Sequence, residues 1–128
     1  MKPPTLEWVK KAEEDFLVAS QIMRRKKNRA LNSACFHCQQ TIEKYLKARL
    51  IEAGLVFPRT HDLLELLHLL QAVEPLWKSY EVAAKKMMGY AVNFRYPGEN
   101  ATATEAKLAL KDCKSLRAEV RRSLGIKK

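Results

Sequence analysis

Three observations predict an all-α domain, an up-and-down four-helix bundle with one additional short helix. Apolar residues recur at three- and four-residue spacing through most of the 128 residues. No segment alternates as a β-strand would, and no repeat of fixed period appears. Glycine and proline number only 4 and 5, and most fall where a helix would start or stop. The length suits one hydrophobic core, so residues 1–128 read as a single domain.

The elements follow in order. After Pro3-Pro4, Thr5 is placed to cap a first helix carrying Val9, Ala12, Phe16, Ala19 and Met23 on one stripe. The cluster Lys26-Lys27-Asn28 breaks it, and Asn28 or Asn32 can cap a long second helix with Leu31, Cys35, Cys38, Ile42, Tyr45 or Leu46, and Leu50. Gly54 ends that helix, since glycine alone enters the left-handed region without penalty. An extended link, Leu55 to Arg59, leads to Thr60, the expected cap of a third helix running to Val73. A fourth, less regular helical segment spans Leu76 to Tyr90, before the turn Asn93-Phe94-Arg95-Tyr96-Pro97-Gly98-Glu99-Asn100. Thr102 and Glu105 then form a capping box for a last helix with Ala106, Ala109 or Leu110, Cys113, Leu116, Val120 and Leu124, closed by Gly125.

Composition narrows the function classes. The run Leu63 to Val73 is interrupted by Glu65 and His68 and is too short to cross a bilayer. Met1-Lys2-Pro3-Pro4 is followed by acids rather than an apolar signal core, so a cytoplasmic protein without a membrane partner is expected. Three cysteines argue for reduced thiols. The net charge of +10 favours a polyanionic partner such as RNA or an acidic protein, and solvated helix faces would account for it equally. Basic residues concentrate in Arg24-Arg25-Lys26-Lys27 with Arg29, and again in Arg117, Arg121, Arg122, Lys127 and Lys128.

Several polar residues stand out against the stripes. Asp15 is the only charge in the row Trp8, Ala12, Asp15, Ala19, Ile22. It either lies solvated at the stripe's edge or pairs with Lys44, Lys47 or Arg95. Cys35-Phe36-His37-Cys38 has two thiols on one helix face, but a closed zinc site needs four ligands and no second pair follows, so core packing is the expected use and no metal or cofactor is predicted. Gln40, Glu43, Lys44 and Lys47 form a polar strip three and four residues apart. No glycine-rich phosphate loop is present, so any nucleotide would be held by side chains.

The order of three motifs, Ala34-Cys35-Phe36-His37-Cys38-Gln39-Gln40-Thr41-Ile42-Glu43-Lys44-Tyr45-Leu46-Lys47-Ala48, then Pro58-Arg59-Thr60-His61-Asp62, then Phe94-Arg95-Tyr96-Pro97-Gly98, resembles the HEPN domain, named for higher eukaryotes and prokaryotes nucleotide-binding. The resemblance covers nearly the whole chain. It implies a bundle of four to five helices, a homodimer, and a prokaryotic toxin–antitoxin partnership with a minimal nucleotidyltransferase. Trp77, Tyr80, Met87 and Met88 are compatible with a buried dimer interface or with core packing.

Many HEPN proteins resemble one another in a ribonuclease motif, an arginine followed after four to six residues by a histidine. The arginine would stabilise charge on the scissile phosphate and the histidine would move a proton. Arg95 holds the arginine's place, but Asn100, Ala101 and Thr102 stand where the histidine should fall, and none occurs after His68. The expectation is therefore a non-catalytic member binding a nucleotide or RNA, with Arg95, Lys44, Lys47 and Gln40 as polar partners and Tyr96 for stacking. Asp15 and His61 are expected in structural polar roles, His61 bonding a neighbouring loop or helix end. A metal-independent RNA endonuclease toxin with a degenerate motif and a dimeric structural adaptor are the alternatives; in the former, His37 or His61 would replace the missing histidine.

Overall fold

The computed structural model describes residues 1–94 and 96–127. Among the described residues five α-helices form: α1 Pro3–Arg24, α2 Leu31–Glu52, α3 Leu63–Leu70, α4 Glu81–Asn93 and α5 Ala103–Ser123, with a 3₁₀ helix at Pro75–Tyr80. No strand occurs among the described residues. The all-helical bundle expected from the periodicity is the fold.

Helix α2 is the centre of the bundle, packing against α1, α3, α4 and α5. Side-chain contacts fix the directions. Thr5 meets Glu52 and Asp15 meets His37 and Lys44, so α1 and α2 run antiparallel. Asn32 meets Asn100 while Arg49 meets Ser123, so α2 and α5 run the same way. The core is one cluster in which Ile42, Tyr45, Leu46 and Leu50 of α2 meet Val9 and Ala12 of α1, Leu63, Leu66, Leu67 and Leu70 of α3, and Cys113, Leu116 and Val120 of α5. Trp77 and Met87 are buried in that cluster and Tyr80 and Met88 pack against it, so these four serve the core.

Local capping departs from the sequence reading at three places. Helix α1 begins at Pro3, not after Thr5, because proline at the first two positions sacrifices only N–H groups that have no helical partner. Thr5 is instead buried and donates to Glu52 Oε1 at 2.9 Å. The N-cap position of α2 is held by Ala30, which makes no side-chain cap bond, and not by Asn28 or Asn32; Asn28 takes φ 55° in the preceding turn, and Asn32 spends its side chain on partners across the bundle. Helix α3 is capped by Asp62, whose carboxylate accepts from Leu64 N and Glu65 N, whereas Thr60 Oγ1 accepts from Asp62 N one step earlier. A carboxylate at a helix N-terminus also meets the positive end of the dipole, which favours Asp62 over Thr60. The helix stops at Leu70 rather than Val73, and the irregular fourth segment resolves into the 3₁₀ helix and α4. The Thr102–Glu105 capping box forms as expected, and Gly54, at φ 71°, ends α2 in the left-handed region.

Across the α1–α5 contact, Glu13 receives two hydrogen bonds from Arg117, at 2.7 and 2.6 Å, and one from the Tyr45 hydroxyl at 2.5 Å. Arg121 donates to the same hydroxyl at 3.0 Å. Burial pushes the Glu13 carboxyl up, but the Arg117 and Tyr45 hydrogen bonds and the two guanidinium charges outweigh it, leaving the pKa below its ordinary 4.5. A depressed folded pKa contributes stability that is present above the unfolded value and lost as pH falls through the folded one. Stability should therefore decline in acid below about pH 4.5, and Glu13→Gln should flatten part of that decline in urea titrations run from about pH 6 to about pH 2.5. Glu52 and Glu119 shift the same way, so some acid sensitivity should survive the substitution. A decline of unchanged steepness would exclude Glu13 as a contributor.

Candidate functional site

The segment joining α4 to α5 is shaped by its own sequence. Tyr90 and Phe94 stack with ring centres 5.6 Å apart and pack against the core, anchoring the end of α4. Glu99 N then donates to Tyr96 O at 3.2 Å across Pro97-Gly98, and Gly98 takes φ 90°. Proline followed by a left-handed glycine is the requirement of a type II turn. Arg95 lies outside the described residues, and Tyr96 is 63% exposed on the turn.

Beyond the turn the chain is fastened to the start of α2. Asn32 Nδ2 donates to Asn100 Oδ1 at 3.1 Å, and Asn32 Oδ1 accepts from Ala101 N at 2.7 Å. This junction borders a pocket of about 380 Å³ lined by Arg29, Ala30, Leu31, Asn32, Ser33, Asn100 and Ala101. Its polar groups are a guanidinium, two amides and a hydroxyl, which offer both donors and acceptors without a carboxylate.

The polar strip of α2 is mostly occupied by structural partners. Asp15 accepts from Lys44 at 2.5 Å and lies 2.7 Å from His37 Nδ1, so of its three candidate partners the described contact is Lys44. His37 as a partner of Asp15 escaped the sequence reading; the signal was the antiparallel pairing of the two stripes, which brings residue 15 beside both 37 and 44. Lys47 is covered, bonded to Glu43 at 3.1 Å and set over the Trp8 ring at 5.3 Å from its centre. Glu43, itself buried, also meets Gln39 Nε2 at 3.3 Å and His61 Nδ1 at 3.0 Å. His61 thus bonds a carboxylate inside α2 rather than a loop or helix end, and its ring stays 85% exposed. Gln40 donates to Gln39 Oε1 at 2.8 Å and remains half-buried beside Lys44. The expected binding residues therefore separate: Lys44 and Gln40 lie on the partly open face of α2, Lys47 is turned into the Glu43 pair, and Tyr96 stands on the turn.

A family model of the HEPN domain matches residues 5–123. The chain belongs to the HEPN domain family. Its fold is similar to the crystal structure of TT1696 from Thermus thermophilus, with a TM-score of 0.75 and 26% identity, covering 94% of this chain and 98% of that one. No curated protein matches the chain. HEPN membership supports a nucleotide- or RNA-related role.

In this HEPN domain the three cysteines are core residues. Cys35, Cys38 and Cys113 are free and buried. Burial pushes the Cys35 thiol up to about 12, and a hydrogen bond with Cys113 followed by burial raises Cys38 as well. Among the described residues no group of three or more His, Cys, Asp or Glu side chains could hold a metal ion. No helix among them is long and apolar enough to cross a membrane.

Proposed function

We propose that this HEPN domain binds a nucleotide or RNA without cleaving it, as a homodimer paired with a minimal nucleotidyltransferase in a cytoplasmic toxin–antitoxin system. The observation that carries the reading is the pocket at the head of α2, where Asn100 lines the wall with Arg29, Asn32 and Ser33. An amide in that place donates and accepts hydrogen bonds but does not titrate near neutrality, so it can recognise a base or phosphate and cannot serve as a general acid or base. The nucleotidyltransferase and the dimer come from the family resemblance.

Calorimetry with nucleoside monophosphates and short RNA tests the binding. Arg29→Gln should weaken it about tenfold, the scale of one lost charge-assisted hydrogen bond, with circular dichroism checking that the helices persist. Absence of binding by the wild-type protein would discard the reading. Co-purification with the nucleotidyltransferase encoded nearest the gene tests the partnership, and sedimentation tests the dimer.

The endonuclease reading draws on one contact, the Asp15 carboxylate against His37 Nδ1, since a carboxylate that orients an imidazole is a component of many proton-transfer sites. RNA left intact in a metal-free assay by the wild-type protein would dismiss it. Cleavage abolished by His37→Gln would establish it instead.

A further inference from the structure

A second depression opens beside the first, on the flank between the end of α1 and the outer face of α5. It measures about 340 Å³ and is lined by Met23, Arg29, Lys107, Leu110, Lys111 and Lys114. Four of its six walls are cations, and no carboxylate lines it. Lys107, Lys111 and Lys114 follow one another four and three residues apart, which puts them in a row of about 10 Å along α5. All three are exposed. Among the described residues, none of the four cationic side chains forms an ion pair.

The other basic residues of α2 and α5 behave differently. Lys44, Lys47, Arg49, Arg117, Arg121 and Arg122 each have a carboxylate partner. The nearest acid upstream in α5, Glu105, is engaged in the capping box with Thr102. Charge in this row is therefore left uncompensated, whereas the remaining cations of α2 and α5 are all matched. The segment between Met23 and Arg29, both of which line the depression, is Arg24-Arg25-Lys26-Lys27-Asn28, and every residue of it is exposed. Asn28, at φ 55°, turns that segment in the left-handed conformation asparagine tolerates. Four further cations thus rim the same flank.

Arg29 lines both depressions. We infer that the Arg29–Lys107–Lys111–Lys114 groove is a second binding site, which takes the sugar-phosphate backbone of a single-stranded RNA whose terminal or adjacent nucleotide occupies the pocket at the head of α2. The inference rests on the nucleotide-binding reading above and extends it from a single nucleotide to a strand. The floor, Met23 and Leu110, is apolar and carries no aromatic ring, so it offers a sugar a surface without stacking a base. Contacts of this kind track phosphates and carry little sequence preference.

The test compares two charge-matched variants of the full chain. Lys107→Gln, Lys111→Gln and Lys114→Gln together remove the row with a good helix former, and Lys78→Gln, Lys85→Gln and Lys86→Gln remove three exposed lysines elsewhere. Fluorescence anisotropy with a single-stranded RNA of about 12 nucleotides is read from about 50 to about 300 mM salt. Loss of three phosphate contacts should lower the slope of log affinity on log salt by about 2 and weaken binding roughly 50-fold near 0.15 M salt. The control variant should change neither by more than a small fraction, and calorimetric binding of a nucleoside monophosphate should be the same for all three proteins.

If wild-type protein binds RNA and the α5 variant keeps its affinity and slope, or the control loses as much, the groove is not on the strand's path and the inference is overturned while nucleotide binding stands. If wild-type protein binds neither mononucleotide nor RNA, the function proposed above fails, and the strand site falls with it.

Discussion

Glu43→Ala should destabilise the fold by about 3–5 kcal/mol, the largest effect expected of any single polar substitution in this chain. Glu43 and Lys47 are 3% and 8% exposed at their side chains and sit 3.1 Å apart within α2. Removing the carboxylate strands a covered ammonium with only the Trp8 ring beside it. A cation over an aromatic face recovers part of the lost solvation, yet it is worth far less than a desolvated counter-ion. His61 loses its partner too, at little cost, because its ring already faces water. Replacing both members, Glu43→Leu with Lys47→Met, should restore most of the stability, since apolar side chains of similar size need no counter-ion. Urea unfolding of the three variants reads this directly. A cost below about 1 kcal/mol for Glu43→Ala would mean that water reaches the pair.

The second large effect concerns the thiols. With its pKa raised from 9.0 to about 12 by burial, helped by neighbouring Cys38, Cys35 in the folded chain holds about a thousandth of the thiolate it would hold unfolded. Alkylation near pH 8 should accordingly be slowed roughly a thousandfold in the native protein. Cys38, buried with Cys113 in the core, should be slowed in the same direction. Labelling followed across a urea series should rise with the same midpoint as the loss of helical circular dichroism. Labelling of Cys35 at the rate of a free thiol in native buffer would reveal local opening of the first turns of α2 and would contradict the packing described.

These two sites mark where sequence reasoning reached and where it stopped. Thiol burial was legible because Cys35, Cys38 and Cys113 fall on helical stripes whose period announces the inward face. Glu43 and Lys47 were not, because α2 is packed on nearly all sides and its buried set includes Gln39, Thr41, Glu43 and Lys47 as well as the apolar stripe. A polar strip at helical spacing reads as a solvated face unless a neighbouring helix covers it, and that depends on packing far along the chain. Capping divided along the same line. The Thr102–Glu105 box is local and formed as read, whereas Asn32 gave up a local cap for Asn100 and Ala101, which no short window contains. The contact of Glu13 with Tyr45 and Arg117 spans three helices and left no local signature. At the head of α2, Asn100 was noticed for the histidine it replaces, while Arg29, Asn32 and Ser33 became part of the same pocket only through folding.

Helix α2 carries buried or half-buried polar groups on several of its sides: Lys44 and His37 reach Asp15, Tyr45 reaches Glu13 and Arg121, and Glu43 reaches His61. Each tie specifies a rotation and an axial position. Sliding the helix by one residue would turn it by about 100° and break all of them at once, carrying Lys44 toward apolar neighbours. The helix therefore acts as a keyed shaft, with no second register close in energy. Adjustment to a ligand therefore falls to the two connections that meet at its head, residues 25–30 leading into α2 and the turn that ends at Asn100 before α5, both of which contribute to the pocket there.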